Sequence, residues 1–310
     1  MNVIDKNFYE LVNELRTLSK DEIFINIKGS FDKIPEQTKL SLEDYFKRFD
    51  YWGRLDLTAG DYDQLYQKAK SFSEHVEDYV WLYERLGDYR SKKLLYAIMN
   101  NWYRYDFITL DGSHEKNFSH YFDLDLIPGG EGDVFVDLGA YTGDTINDYI
   151  KTYGSKFKRI YGYEITDETY EKLVDNTSSY ENIIVRKKAI LDKTGKVYLN
   201  DNQTDASANR TSDSGEKSVE TTSLDEDVKE PISVIKMDIE GGEQKAIIGC
   251  KNHIICDHPK LLISVYHNNE DVWKIPKMIN DICLGYKFYL RSYGGSIYPT
   301  EIVLVAIYKE

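Results

Sequence analysis

The amino-acid sequence predicts an α/β fold, in which an open and mostly parallel sheet carries helices on both faces. Two stretches support this prediction, Val134 to Thr145 and Ile232 to Glu243, because each passes from a buried strand through a glycine loop into a helix. The third observation is the helical spacing of apolar residues in the first part of the chain. We therefore predict a helical N-terminal domain at residues 1–125 and a sheet domain at residues 126–310.

The first domain is predicted from helical periodicity. Apolar residues recur at helical spacing near the start of the chain, at Phe8, Leu11, Val12 and Leu15. Ser41, followed three residues later by Asp44, predicts a further helix start. Pro128, Gly129 and Gly130 mark the boundary to the sheet domain. Just before that boundary, the segment from 121 to 123 is expected either to touch a ligand or to join the two domains.

A ligand cradle is predicted where the first strand ends. Asp137 closes the strand, a loop with Gly139 and Gly143 follows, and Asp144 or Thr142 is expected to cap the next helix. The loop lacks the Gly-x-Gly-x-x-Gly spacing of a dinucleotide site. Asp137 would repel a pyrophosphate and attract an ammonium group. S-adenosylmethionine carries both an ammonium and a sulfonium group, so it suits this strand end better than NAD, and an ordinary strand-to-helix turn is the alternative.

Glu164 is predicted to bind a ribose. It ends the second short strand, about 20 residues beyond Gly143, where an acid can accept hydrogen bonds from ribose hydroxyls. The alternative is a solvated carboxylate at a strand end. Further along, no large apolar residue occurs from Asn200 to Ser218, and this stretch is predicted to be a loop.

Two further acids are expected near the cradle. Asp238 and Glu240 follow a buried strand, and the carboxyl ends of parallel strands meet at one edge of a sheet, beside Asp137 and Glu164. Four carboxylates at one edge repel each other unless a positive group lies between them. A sulfonium ligand, Lys236 or a divalent cation would supply that charge. For Glu240, an acid favoured by the start of a helix is the alternative.

The last part of the chain contributes a histidine. His267 closes the predicted strand from Leu261, and its neutral imidazole can take up a proton near pH 7. Pro276 suits the first turn of the following helix. Two final strands, from 286 to 291 and from 301 to 308, have no helix between them, which predicts an antiparallel pair at the edge of the sheet.

Composition limits the partners and the location. A net charge of -14 at pH 7 argues against a nucleic-acid surface. The three cysteines include no Cys-x-x-Cys pair, so neither a disulfide framework nor a zinc site is indicated. Met1 is not followed by a basic and apolar leader, and no apolar run approaches the roughly 18 residues of a membrane span. We expect a soluble cytoplasmic protein without stable membrane insertion; a homo-oligomer stays open.

Several motifs together resemble the FkbM-type methyltransferases. They are Asp137 to Gly143, Glu164, Ser223-Leu-Asp225 and Ile235 to Glu243, and the most specific piece is Lys-x-Asp-x-Glu-Gly-x-Glu. The resemblance covers residues 119 to 308. It implies a class I methyltransferase fold, which is Rossmann-like and doubly wound with an antiparallel last strand. It also implies S-adenosylmethionine as methyl donor and O-methylation, often of sugars in polysaccharides, glycolipids or natural products.

The resemblance further implies which residues hold the cofactor. The methionine part would lie on Asp137, Gly139, Ala140, Tyr141, Thr142 and Gly143. Glu164, with Ile165 next to it, would bind the ribose. Ala189 and Ile190 would lie beside the adenine, and Asp238 would complete the cofactor site.

Methylation of a sugar also needs a base, because a hydroxyl is a poor nucleophile until it loses its proton. We predict His267 as that base, with Asp238 and Glu240 as the other catalytic residues and Asp238 either orienting the histidine or binding a cation. In a metal-assisted variant, these three residues would hold Mg²⁺ or Mn²⁺. The acceptor would be a small molecule or a glycan, and its identity does not follow from the sequence. The alternative function is a non-catalytic module that binds a nucleotide sugar or a polysaccharide.

Overall fold

The structure is a computed structural model, and it describes residues 1–49, 52–200, 210–212 and 217–309. The chain divides into two compact units. The first unit consists of Met1–Lys116, Val265–Lys277 and Phe288–Leu304, and the second consists of Asn117–Ser264, Met278–Lys287 and Val305–Glu310. The predicted domain division after residue 125 stays a prediction.

In the residues that the structure describes, six helices precede the first strand. They are α1 (Val3–Thr17), α2 (Lys20–Lys33), α3 (Glu36–Arg48), α4 (Asp63–Arg85), α5 (Tyr89–Arg104) and α6 (Phe107–Asp111). Reciprocal side-chain caps begin the first two, Asn2 with Asp5 and Ser19 with Glu22. The apolar stripe of α1 is buried, as its spacing predicts. Within the described parts of the chain, no helix combines the length and the apolar character needed to span a membrane.

The predicted helix start at Ser41 is wrong. Helix α3 begins at Glu36, directly after Pro35, whose fixed φ suits the entry to a helix. Ser41 lies inside the helix, and its Oγ donates to the carbonyl oxygen of Gln37 at 3.0 Å. A serine hydroxyl can satisfy itself on the preceding turn in this way, so Ser41 followed by Asp44 does not mark a helix start here.

The main sheet has seven strands. They are β1 (Val134–Leu138), β2 (Arg159–Tyr163), β3 (Ile183–Arg186), β8 (Val234–Met237), β9 (Lys260–Ser264), β10 (Tyr286–Ser292) and β11 (Ile302–Tyr308), in the spatial order β10-β11-β9-β8-β1-β2-β3. Strand β1 pairs in parallel with β2 and β8, and the same direction holds between β2 and β3 and between β8 and β9. Every residue of β1 and β8 is buried, as expected for the middle of a parallel sheet.

Six further helices accompany the sheet within the described part of the chain. They are α7 (Asp144–Tyr153), α8 (Asp167–Thr177), α9 (Leu224–Asp227), α10 (Glu243–Gly249), α11 (Lys251–Cys256) and α12 (Asp271–Ile282). The sheet order reverses at β1, where β2 and β8 lie on opposite sides, and this is the point at which open α/β sheets bind ligands. The predicted doubly wound class I methyltransferase fold is confirmed.

A second sheet of four strands lies in the second unit. It contains β4 (Ala189–Ile190), β5 (Gly195–Asn200), β6 (Arg210–Ser212) and β7 (Lys217–Thr222), in the order β4-β7-β5-β6. The predicted loop from 200 to 218 is wrong at both ends, where Asn200 ends β5 and Lys217 begins β7, and at residues 210–212, which pair with β5 in an antiparallel ladder. Strand β6 contains no large apolar residue, and its backbone pairing with β5 is enough to form it. Residues 201–209 and 213–216 of the predicted loop lie outside the described residues.

Three local predictions are corrected by the structure. Gly143, with φ +88°, caps α7, and neither Asp144 nor Thr142 provides a side-chain cap. Strand β9 ends at Ser264, so His267 lies beyond the strand rather than closing it. Pro276 lies inside α12, where its missing N–H costs the helix one backbone hydrogen bond, and not in the first turn.

Candidate functional site

The loop after β1 turns tightly against neighbouring strands of the second unit. The backbone N–H groups of Gly139 and Ala140 both donate to the carbonyl oxygen of Tyr163, at 3.0 and 2.9 Å. Gly139 has φ +78°, and a Cβ there would lie 1.9 Å from the carbonyl oxygen of Asp238. Glycine is therefore required at this position, because the loop and the backbone after β8 approach too closely for any side chain.

Glu164 fixes the conformation of this loop. Its Oε2 accepts from the backbone N–H of Tyr141 at 3.0 Å, and its Oε1 accepts from those of Ile165 and Thr166 at 2.9 and 2.8 Å. Tyr141 has φ +48°, an unusual conformation for a non-glycine residue, and the hydrogen bond to Glu164 holds it there. A carboxylate offers about four acceptor positions, so about one remains for a ligand hydroxyl.

Asp137 and Lys236 form a buried ion pair. They are register partners across β1 and β8, and the Lys236 Nζ lies 2.9 Å from the Asp137 Oδ1. Lys236 Nζ also donates to the carbonyl oxygen of Gly139 at 2.7 Å. Lys236, one of the three predicted sources of positive charge, contacts Asp137 directly. Asp137, which the sequence predicts to attract the ammonium group of a ligand, therefore already has its charge balanced by Lys236 within the protein.

Burial controls the protonation of this pair. It raises the pKa of Asp137 to about 6, against the opposing effect of the Lys236 ammonium. Burial by itself lowers the pKa of Lys236, but the nearby carboxylates Asp137 and Asp238 outweigh it, and the pKa of Lys236 is raised. Both partners are therefore charged near pH 7.

The segment after β8 contains a side-chain hydrogen bond that closes a turn and two residues with positive φ. The Glu243 Oε1 accepts from the backbone N–H of Ile239 at 2.9 Å, which closes the turn at the start of α10. Glu240 and Gly241 have φ +57° and +96°. A non-glycine residue with positive φ is held by its surroundings and often lies at a functional position. Glu240 follows the end of β8, so it lies at the carboxyl edge of the sheet, where the sequence predicts it.

Tyr121 orients Asp238. Its hydroxyl donates to the Asp238 Oδ2 at 2.7 Å and lies 3.4 Å from the Ser264 Oγ. The ring of His120 stacks on that of Tyr121, with centroids 4.0 Å apart. Burial lowers the pKa of His120 to about 4, although Asp238 acts in the opposite direction. His120 is therefore neutral near pH 7.

Neither His120 nor Ser264 is predicted as a site residue by the sequence. His120 adjoins the segment from 121 to 123, which the sequence does indicate as a neighbour of the ligand, but no spacing rule distinguishes it. Ser264 ends β9, and the position of the strand end is a signal that could have found it.

The Ser223-Leu-Asp225 motif has a structural explanation. Ser223 Oγ accepts from the backbone N–H of Glu226 at 3.2 Å and so caps α9. The two Asp225 oxygens accept from the backbone N–H groups of Asn252 and His253, at 2.9 and 3.2 Å. Asp225 thereby caps α11 from a distant part of the sequence.

The remaining predicted cofactor residues occupy two places in the second unit. Ala140 and Gly143 are buried in the loop after β1, whereas Tyr141 is 39% exposed. Ala189 and Ile190 form β4 of the four-stranded sheet and are buried. Ile165 packs against the apolar cluster that includes Ala189, so one residue predicted to lie beside the adenine shares a cluster with the residue next to the ribose acid.

The three predicted catalytic residues are divided between the two units. Asp238 and Glu240 belong to the second unit and His267 to the first. His267 is 1% exposed, and its ring lies 4.2 Å from that of Tyr266. Their joint action, and a metal ion bound by all three, stay predictions.

The described geometry suits a cationic ligand. Beside the Asp137–Lys236 pair, Glu164, Asp238 and Glu240 bring further carboxylates to the edge of the sheet. A ligand with a pyrophosphate would meet these acids unfavourably, whereas an ammonium or sulfonium group would be attracted.

Comparisons with known proteins give one family match and one structure with a similar fold. A family model described as the methyltransferase FkbM domain matches residues 137–294. Methyltransferase FkbM from Methylobacillus flagellatus KT is 22% identical, with a TM-score of 0.66 over 77% of this chain. This chain covers 60% of the length of that one. No curated protein matches the sequence.

Two more distant structures also match parts of this chain. Fibrillarin from Aeropyrum pernix, in complex with natively bound S-adenosyl-L-methionine, is 15% identical, with a TM-score of 0.38 over 58% of this chain and 68% of that one. A ribosomal protein L11 methylase from Lactobacillus delbrueckii subsp. bulgaricus is 15% identical, with a TM-score of 0.36 over 57% of this chain and 70% of that one.

Proposed function

Because the matched domain covers half of its length, this chain belongs to the FkbM methyltransferase family, and we propose that it transfers a methyl group from S-adenosylmethionine to a sugar hydroxyl. The acceptor would be part of a polysaccharide, a glycolipid or a natural product. The observation that carries the proposal is the hydrogen bond from Tyr141 to Glu164, because it joins the predicted methionine loop to the predicted ribose acid.

The residues present fit this cofactor. Glu164 retains about one acceptor position for a ribose hydroxyl. The loop from Asp137 to Gly143 would hold the methionine part, and the cluster with Ile165 and Ala189 would border the adenine. When bound, S-adenosylmethionine supplies a methyl group that its sulfonium already activates. The protein then has to position the acceptor oxygen and remove its proton.

Asp238 and His267 would share the handling of that proton. The Tyr121 hydroxyl holds Asp238 Oδ2 in one orientation, so this carboxylate is fixed before a substrate arrives. An imidazole nitrogen of His267 would accept the hydroxyl proton, and Asp238 would orient the histidine and stabilise its charged form. Glu240 would add negative charge that favours both the cofactor and the protonated base.

A divalent cation is an addition to this mechanism that the donor chemistry allows. Two carboxylates, Asp238 and Glu240, together with the His267 imidazole, suit Mg²⁺ or Mn²⁺. Such an ion would lower the pKa of the acceptor hydroxyl. Methyl transfer that proceeds at the full rate after chelation and dialysis would exclude it, and a loss that added Mn²⁺ restores would support it.

The proposal is tested by two measurements on the full chain. Calorimetry should show that S-adenosylmethionine binds, and mass spectrometry should show an added methyl group on at least one member of a panel of nucleotide sugars and glycan fragments. The alternative function, a non-catalytic module for nucleotide sugars or polysaccharides, predicts sugar binding without any heat from S-adenosylmethionine.

The assigned base has its own test. His267→Ala should reduce turnover by about 100-fold or more, since general-base catalysis contributes about 10²–10⁴-fold. The affinity for S-adenosylmethionine should stay within about threefold. His258→Ala, a matched change at another histidine of the chain, should leave turnover unchanged. Full turnover in His267→Ala would remove this residue from the mechanism.

A further inference from the structure

A cavity lies wholly within the first unit. Its volume is about 370 Å³, which falls in the range of small-ligand sites. One wall is formed by α4, including Gln67, Glu74 and His75, and another by the loop residues Asn268 and Asn269. We call it the helical cavity.

The walls of the helical cavity are fixed in place. Asp63 Oδ1 accepts from the side chain of Gln67 at 2.9 Å, and Asp63 Oδ2 accepts from the backbone N–H of Arg54 at 3.4 Å. Gly53, with φ +100°, makes room for Asp63, because a Cβ there would lie 2.7 Å from Asp63 Oδ2. The site is therefore formed before a ligand arrives.

A break in α4 adds to this wall. His75 leaves helical geometry at φ -131° and ψ 17°. Its ring stacks on Trp273 at 4.3 Å, and its Nδ1 lies 2.9 Å from Asp78 Oδ2. These contacts hold the kink, which turns His75 toward the cavity that it lines. A helix interrupted in this way is a common feature of functional positions.

The opposite wall contains an unused hydrogen-bond acceptor. Asn269 Oδ1 is buried and has no hydrogen-bond partner among the residues that the structure describes. The backbone of the same residue is anchored, because its carbonyl oxygen accepts from the Tyr79 hydroxyl at 3.4 Å. A buried amide oxygen without a partner is costly, and a ligand hydroxyl would satisfy it.

The charges around the helical cavity select against anions. Asp63, Glu74 and Glu270 line it together with a single lysine, Lys70. A phosphate or a carboxylate would meet net negative charge, whereas a neutral molecule with many hydroxyls would find amide and carboxylate acceptors. The indole of Trp52, stacked on Tyr45 at 5.8 Å, gives the cavity a rigid apolar side as well.

We propose that the helical cavity binds an uncharged saccharide unit of the acceptor, and that its acidic lining excludes sugar phosphates. This inference rests on the proposed function in one respect, that the ligand belongs to the methyl acceptor. The sequence connects the helical cavity to the proposed base, because Asn268 and Asn269, which line the cavity, directly follow His267. The first unit is then a substrate-binding part of the enzyme.

The experiment measures sugar binding without any turnover. Saturation-transfer NMR on the full chain compares a panel of neutral methyl glycosides with the corresponding sugar 1-phosphates. At least one methyl glycoside should bind about tenfold more tightly than its phosphate. Gln67→Ala and Asn269→Ala should each weaken that binding about fivefold or more. Gln37→Ala, the matched change on the exposed surface of α3, should have no effect.

A charge reversal separates recognition from folding. Glu74 is exposed at the cavity, so Glu74→Lys should fold normally and shift the preference towards the sugar 1-phosphates by about tenfold. Equal binding of phosphates and glycosides by the wild type would overturn the proposal. So would unchanged binding in both alanine variants, or the absence of binding across the panel.

The two proposals fail in different ways. If S-adenosylmethionine binds and its methyl group is transferred, but no glycoside binds the helical cavity, the cavity assignment is wrong and the proposed function stands. If glycosides bind as described but S-adenosylmethionine does not, the cavity assignment stands as a saccharide site and the methyl-transfer proposal is wrong.

Discussion

Asp137 and Lys236 face each other across β1 and β8, with their charged groups 2.9 Å apart and with exposed fractions of 0% and 2%. The pair occupies the point where the order of the sheet reverses. It sets the charge at the base of the proposed cofactor site, and it also couples the two strands whose loops form that site.

Lys236→Met should destabilise the fold strongly. The change leaves the Asp137 carboxylate buried without its ammonium, and breaking a buried pair typically costs about 3–5 kcal/mol. Urea unfolding near pH 7 measures the loss. Lys151→Met removes an exposed lysine from a surface pair with Asp148 and should cost less than about 1 kcal/mol. A cost for Lys236→Met as small as this control would show that Asp137 does not depend on Lys236.

Glu164→Gln should weaken the binding of S-adenosylmethionine by tenfold or more, which is about 1.4 kcal/mol. Glutamine has the same size, but its amide nitrogen cannot accept from the N–H groups that now bind Glu164. Calorimetry with S-adenosylmethionine is the measurement, and Glu168→Gln, at an exposed pair with Lys172, is the matched control. An unchanged affinity in Glu164→Gln would contradict the proposed ribose contact.

Tyr121→Phe should lower kcat by about tenfold to 100-fold and change the KM for S-adenosylmethionine by less than threefold. The variant keeps the ring that stacks on His120 but loses the hydrogen bond that orients Asp238. Steady-state kinetics on the acceptor identified by mass spectrometry provide the comparison. Tyr89→Phe changes a 52% exposed tyrosine in the same manner and should behave as wild type. A shift confined to KM would argue against a role for Tyr121 in positioning Asp238.

His120 should make stability rise with pH. Its pKa is about 4 in the folded protein and 6.5 when unperturbed, so between these values the unfolded chain binds more protons. Stability should therefore rise from about pH 4 to about pH 6.5 and level off above. Urea unfolding of the wild type and of His120→Asn at several pH values isolates the contribution of His120 to the free energy of unfolding, because the variant has no imidazole at this position. A constant difference between the two proteins across that range would contradict a buried neutral imidazole.

The sequence predicts most of the second unit because its signals are local. Buried strands, glycine loops and the acid beyond β2 follow from periodicity and spacing, and the structure has them at the expected places. Gly139 is a clear case, since the sequence shows the need for a tight turn. The structure adds a second reason, because the backbone of Asp238 lies too close to Gly139 for a Cβ to fit there.

Other features depend on partners far away in the sequence. The sequence offers Lys236 as one of three groups that could balance the acids at the edge of the sheet, and only the register of β1 against β8 shows that it pairs with Asp137. Asp225 caps a helix that begins at Lys251, which no spacing rule predicts. The predicted cap at Asp144 fails for a related reason, because Gly143 can adopt the positive φ that ends the loop and needs no side chain.

The helical cavity joins parts of the chain that are made at very different times. A ribosome adds about 5–20 residues per second, so Asn268 follows Gln67 after on the order of 10–40 seconds. During that interval the polar face of α4 is without its opposite wall. Saccharide recognition is thus one of the last abilities that a newly synthesised molecule gains, and it is gained only when almost all of the described chain has been released.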